Sequence, residues 1–178
     1  MRALLPLLFC AALGCGGGGG ATSSASFQGT FGGRAFAAKA ALSGVTALGM
    51  TEIIFTNFAP ACDAVGALQF GPDQQLLQIR VMNSAGPIGA GTYGFGTSPM
   101  SFIAAYQAYD GSCAASQLSF TTGKVTLDSA ADRVFTGSLD LTMNGPSQVT
   151  ATFNTELCAA ISSQRYQAGG PTCSREPR

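Results

Sequence analysis

VFTGSLDLTMNGPSQVTATFN, residues 134–154, alternates apolar and polar side chains on both sides of a turn. Phe135, Gly137, Leu139, Leu141 and Met143 fall on one face, and Thr136, Ser138, Asp140 and Thr142 on the other. After the turn signal Asn144-Gly145-Pro146, Val149, Ala151 and Phe153 alternate with Gln148, Thr150, Thr152 and Asn154. A helical period of about 3.6 would scatter these residues around a cylinder, whereas a period of two places them on the two faces of a pleated strand. The segment predicts two antiparallel strands, each with one buried and one wet face.

The same pattern extends upstream. Val125 to Asp128, with a loop at Ser129 to Asp132, makes a hairpin with the strand from Val134. Leu118 and Phe120 are even-numbered while Val125 and Leu127 are odd, so Thr121 to Gly123 must hold a bulge or a turn. Ser101 to Tyr109 keeps Phe102, Ala104, Tyr106 and Ala108 in phase, and Leu76 to Asn83 does the same with Leu77, Ile79 and Val81. A short strand around Tyr93 and Phe95 lies between them. Its glycines at 89, 91, 94 and 96 mark a bulged edge or corner, or a close approach of backbone to a ligand. Met50 to Phe58 is apolar on both faces in its middle, which predicts a central strand. Phe27 to Phe31 and Phe36 to Leu42 flank Gly32-Gly33 as a hairpin, although the alanines from Ala35 onward also suit a short helix. Asp63 to Phe70 has room for one helical turn. About eight or nine short antiparallel strands predict an all-β domain, a β-sandwich or an up-and-down barrel.

Ahead of the strands, Arg2 and the apolar run Ala3 to Leu13 form a secretory leader too short to span a bilayer. Ala12-Leu13-Gly14-Cys15 resembles the lipobox of bacterial lipoproteins, in which a peptidase cleaves before a cysteine diacylated on sulfur. Leu13 stands two before the cysteine, where the motif prefers leucine at three. The resemblance implies a signal peptide at 1–14 and acylation of Cys15. An ordinary cleaved leader with Cys15 as an incidental thiol is the alternative. Gly16 to Gly20 then reads as a tether, extending to residue 26, ahead of a β domain at 27–158 and a polar C-terminal tail at 159–178. Gly16, where some Gram-negative lipoproteins carry a retaining Asp, implies export to the outer membrane or cell surface, or its periplasmic face, through the lipid anchor.

Nine basic and nine acidic residues balance, so no electrostatic footprint for nucleic acid exists. Only 10% of residues are charged, well below the roughly 25% of an average domain. The surface must be built from Ser, Thr, Gln, Asn, Gly and Ala. Beyond Cys10 in the leader and Cys15, four cysteines remain, and an even number in an exported chain predicts two disulfides. They contain no C-x-x-C pair, and the chain has no histidine, so no metal site is expected. In a plain meander, Cys62 and Cys158 fall at one end and Cys113 at the other. That parity favours Cys62–Cys158 and Cys113–Cys173, unless a crossover or a full turn at Thr121 to Gly123 breaks it.

GTFGGRAFAAKAA (29–41), PIGAGTYGFG (87–96) and the span from Gly123 to Cys158 resemble a set of small uncharacterised bacterial lipoproteins with a lipobox-type leader and an all-β domain. The resemblance covers roughly 27–158 and implies a fold without implying an activity.

Without histidine, neither a Ser-His-Asp nor a Cys-His arrangement can form. No glycine-rich phosphate loop follows a strand and opens a helix. A carboxylate pair alone can run glycoside hydrolysis. Asp128 with Asp132 lies in a predicted loop, where Asp forms turns, and Asp140, with Glu52 as its candidate partner, lies on an outward face. Asp128 and Asp132 also supply too few oxygens for calcium. The reading is therefore non-enzymatic, with no cofactor: a binding, adhesive or structural envelope module whose exposed Thr, Ser and Gln faces or Gly-rich loops contact a protein or glycan partner. The alternative is a lipocalin-like barrel carrying a small apolar ligand, lined by Phe31, Phe36, Phe102, Tyr106 and Phe135.

Overall fold

A computed structural model of the chain describes residues 23–46, 50–143, 148–162 and 171–175. The first half holds β1 (Ser24–Gln28), β2 (Thr30–Phe31), β3 (Arg34–Ala35), β4 (Ala40–Val45), β5 (Thr51–Thr56), α1 (Cys62–Ala67), β6 (Gln69–Phe70) and β7 (Gln75–Asn83). The second half holds β8 (Gly91–Phe95), β9 (Met100–Tyr109), β10 (Ala115–Ala131), β11 (Val134–Met143), β12 (Gln148–Asn154), β13 (Glu156–Leu157), α2 (Ala159–Ser162) and β14 (Thr172–Cys173). Ten strands form one sheet in the order β1-β12-β11-β10-β8-β9-β7-β5-β4-β13, with β10 also paired to β9.

Most of this order is a meander, since β4, β5, β7, β9, β10, β11 and β12 pair antiparallel in succession. β8 is wedged where β10 leaves β9: it runs antiparallel to β10 but parallel to β9. The sheet is also curled. β12 and β13 lie near opposite ends of the strand order, yet only Thr155 separates them in the chain, so the two ends must come together.

A buried polar knot holds that seam. The Thr155 backbone N–H donates to the Phe135 carbonyl at 2.9 Å, and the Phe135 N–H donates to the Thr155 hydroxyl at 2.8 Å. That hydroxyl donates to Ser43 Oγ at 2.8 Å, and Ser43 Oγ donates to the Arg133 carbonyl at 2.6 Å. Both side chains are fully buried, so each bond replaces water that the site excludes.

Two apolar clusters lie on opposite faces of the sheet. Inside the curl, the alternate residues Phe135, Leu139, Leu141, Met143, Val149, Ala151 and Phe153 join Ile53, Phe55, Leu77, Ile79, Val81, Phe102 and Tyr106. Outside it, Ala40, Leu42, Ile54, Leu76 and Tyr109 pack against Val65 of α1, Cys158 and Ile161 of α2. This second layer explains why β5 is buried on both faces, as its sequence suggested. Gly44 permits the approach, because a Cβ there would stand 2.7 Å from the Ile161 Cβ.

Several expectations are corrected. The sheet has ten strands rather than eight or nine. The hairpin from Phe27 to Leu42 shrinks to β2 and β3, because β1 pairs with β12 and Gly29, at φ 100°, turns the chain away between them. β1 begins at Ser24, inside the span assigned to the tether. The loop expected at Ser129 to Asp132 is strand as far as Ala131, and the turn is Asp132-Arg133, both with positive φ. The mismatch at Thr121 to Gly123 is an irregularity within one strand, where the register shifts between Phe120 and Thr122. The tail expected from residue 159 starts as α2, whose Ile161 is fully buried because an apolar side chain closes the outer cluster there. The leader, Cys15, Gly16 to Gly20 and the turn at Asn144-Gly145-Pro146 lie outside the described residues.

Candidate functional site

The five aromatic residues expected to line a ligand cavity all point into the curl, where they are buried against one another and their neighbours. Phe31 stacks on Tyr106 with centroids 4.5 Å apart, and Phe36 meets Phe31 edge-on at 5.4 Å. Phe27 adds edge contacts to Phe36 and Phe55. These contacts pack the aromatic side chains against one another inside the curl. The buried phenols are satisfied: Tyr106 donates to Gln75 Oε1 at 2.9 Å, and Tyr93 donates to the Gly89 carbonyl at 2.9 Å. Burial raises the Tyr106 pKa above its usual value, against a smaller opposing pull from Arg34.

The carboxylates are not gathered. Glu52, on β5, is fully buried and receives Arg80 Nε at 2.7 Å. Asp140, on β11, accepts from Gln148 Nε2 at 2.7 Å, and strands β10, β8, β9 and β7 intervene in the sheet order between it and Glu52. Asp128 and Asp132 are exposed, one beside a register shift and the other in a turn. Among the described residues, no three metal-ligating side chains come together.

The four distal cysteines form Cys62–Cys158 and Cys113–Cys173, with Cα atoms 5.5 and 5.6 Å apart. These are the pairs of the parity argument, reached by another geometry. Cys62 and Cys158 meet on the outer face of the sheet, where α1 and α2 pack over β4. The parallel run of β8 beside β9 breaks the alternation on which parity counting depends.

The outward face of β1, β12, β11, β10 and β8 is the most regular feature of the surface. Strand register lines up Ser26, Thr152, Ser138, Thr126 and Thr92 in one row across five strands. All five are exposed or half-buried. A second row carries Gln28, Thr150, Asp140 and Lys124. Neighbouring positions in a row are about 4.8 Å apart, and the rows repeat about every 7 Å. The Thr92 and Thr126 hydroxyls lie 3.3 Å apart, and Ser129 and Thr136 bond at 2.8 Å. The face thus presents a lattice of groups that both donate and accept, in which the two rows hold one Lys and one Asp and Asp128 is exposed further along β10. The sequence pattern already placed Thr136, Ser138, Asp140 and Thr142, and Gln148, Thr150, Thr152 and Asn154, on the outward face. It did not place Ser26 or Thr92 in the row, because that depends on which strand pairs with which.

No protein-family model, no curated protein and no solved structure matches the chain.

Proposed function

We propose that the protein is an exported, lipid-anchored envelope protein that acts by binding, and that its hydroxyl-bearing sheet face docks on a neutral polysaccharide. The row from Ser26 to Thr92 carries this reading. A polysaccharide repeats its own hydroxyls along an extended chain, and a repeating array of hydroxyls and amides can exchange hydrogen bonds with it at many points. The near absence of charge on the face disfavours an anionic polymer or nucleic acid, which would need cationic side chains. Two disulfides fit an oxidising, exported location, and no helix among the described residues is long and apolar enough to cross a membrane. The leader supports Cys15 as the acylated residue, with placement at the outer membrane or cell surface.

Co-sedimentation with insoluble neutral polysaccharides tests the face. Wild-type protein is expected to pellet with at least one of a panel of cellulose, chitin and cross-linked dextran. Ser138→Arg, which puts a long cation in the middle of the row, is expected to weaken that binding about tenfold with no loss of thermal stability. Failure of the wild type to bind any of the panel, or full binding by Ser138→Arg, would overturn the reading.

A further inference from the structure

A recess of about 480 Å³ opens at the end of the curl where β4 meets β5 and β7 meets its following loop. It is within the size range of small-molecule pockets. Val81 and Phe135 belong to the inner core and reach the recess from below, while Val45, Met50 and Ile88 add apolar wall. Arg133 also lines it. Its guanidinium has no ion-pair partner among the described residues, where the one salt bridge is that of Arg80 with Glu52. Its backbone is fixed from behind by the bond from Ser43 to its carbonyl. Arg133 also occupies the second of two left-handed positions in the β10–β11 turn, at φ 64°, where glycine is ordinarily favoured.

We infer that this recess binds a small amphipathic anion, an apolar chain ending in one carboxylate, with Arg133 as the head-group ligand. The apolar wall supplies burial for the chain, and methionine adapts to its shape. One planar guanidinium matches one carboxylate through two parallel hydrogen bonds, which a neutral head group cannot reproduce. The site is separate from the polysaccharide face and goes beyond that reading.

Calorimetric titration of the purified protein with decanoate and with decanol tests the assignment. Wild type is expected to bind decanoate more tightly than decanol. Arg133→Gly, which suits the turn and removes the cation, is expected to weaken decanoate about tenfold, leave decanol unchanged and keep or raise the thermal midpoint. Ile88→Trp, which fills the recess, is expected to abolish both, with the far-ultraviolet spectrum and the thermal midpoint retained. Ser138→Arg is expected to bind decanoate as wild type does, which separates this site from the polysaccharide face. No decanoate binding by the wild type, or undiminished binding by Arg133→Gly or by Ile88→Trp, would overturn the inference.

Discussion

Ser43 joins three segments far apart in sequence, accepting from Thr155 and donating to the carbonyl of Arg133 while its own carbonyl receives the Cys158 N–H at 2.8 Å. Ser43→Ala would leave the Arg133 carbonyl and the buried Thr155 hydroxyl short of a partner. That is expected to cost about 1–3 kcal/mol in urea unfolding, against less than about 0.5 for the exposed Thr152→Ala. Nothing local marks Ser43 for this role, since its partner lies 112 residues away. Asp110 opens the run Asp110-Gly111-Ser112-Cys113, a string of turn-forming residues readable in the sequence itself. Its Oδ1 accepts from the Ser112 hydroxyl at 2.6 Å, the Ser112 N–H at 2.7 Å and the Ala114 N–H at 2.9 Å. The Ser112 hydroxyl is the largest of the influences that lower the Asp110 pKa. A depressed carboxylate pKa adds stability above the unfolded value of about 3.9, which is lost as the pH falls through the lower folded value. The residue is only half-buried at the surface, so the effect on global stability is small. A carboxyl NMR titration is expected to place the Asp110 midpoint below that of an ordinary aspartate, and Ser112→Ala to move it back up.

At the scale of elements, alternation made β11 and β12 legible because each has one core face and one wet face, and every buried residue read from their pattern is buried. The double burial of β5 was also legible, but its cause was not: α1 and α2 are too short for a helical period to show, and they are held by tertiary contact and a disulfide rather than by propensity. Pairing partners were the least legible, since the alternation of a strand says which face is buried and not which neighbour it takes. The two disulfides belong to different elements and should differ in effect. Cys62–Cys158 closes a separation of 96 residues and staples α1 to α2 over β4. Replacing both of these cysteines by alanine is expected to cost about 2–5 kcal/mol of global stability. Cys113–Cys173 ties the short β14 and the adjoining chain to the loop after β9. Its removal is expected to expose the C-terminal segment to proteolysis, with hydrogen exchange in β11 left at its wild-type protection. Equal losses of protection in β11 from both double variants would show that the C-terminal segment is part of the cooperative core.

For the whole molecule, the scarcity of charge and the curled sheet point the same way. A chain with only 10% charged residues must build its wet surface from hydroxyls and amides, and the curl turns those outward while the aromatic residues meet inside. The same economy leaves little to hold such a domain at a membrane except a covalent lipid. If Cys15 is acylated as proposed, the residues before Ser24 can span at most about 30 Å even when fully extended, so the domain stays close to the bilayer and its partner must be reachable there. A single acyl chain binds only marginally, whereas three chains on an N-terminal cysteine hold firmly. Cys15→Ala is therefore expected to move the protein from the membrane pellet to the soluble exported fraction or leave it unprocessed. Intact mass spectrometry of the wild type is expected to show acyl chains on Cys15 and a gain of about four mass units on reduction of the two bridges. Membrane association that survives Cys15→Ala would remove the anchor. The hydroxyl face and the Arg133 recess would then have to be tested on a soluble exported protein, with no restriction on how far from the bilayer their ligands lie.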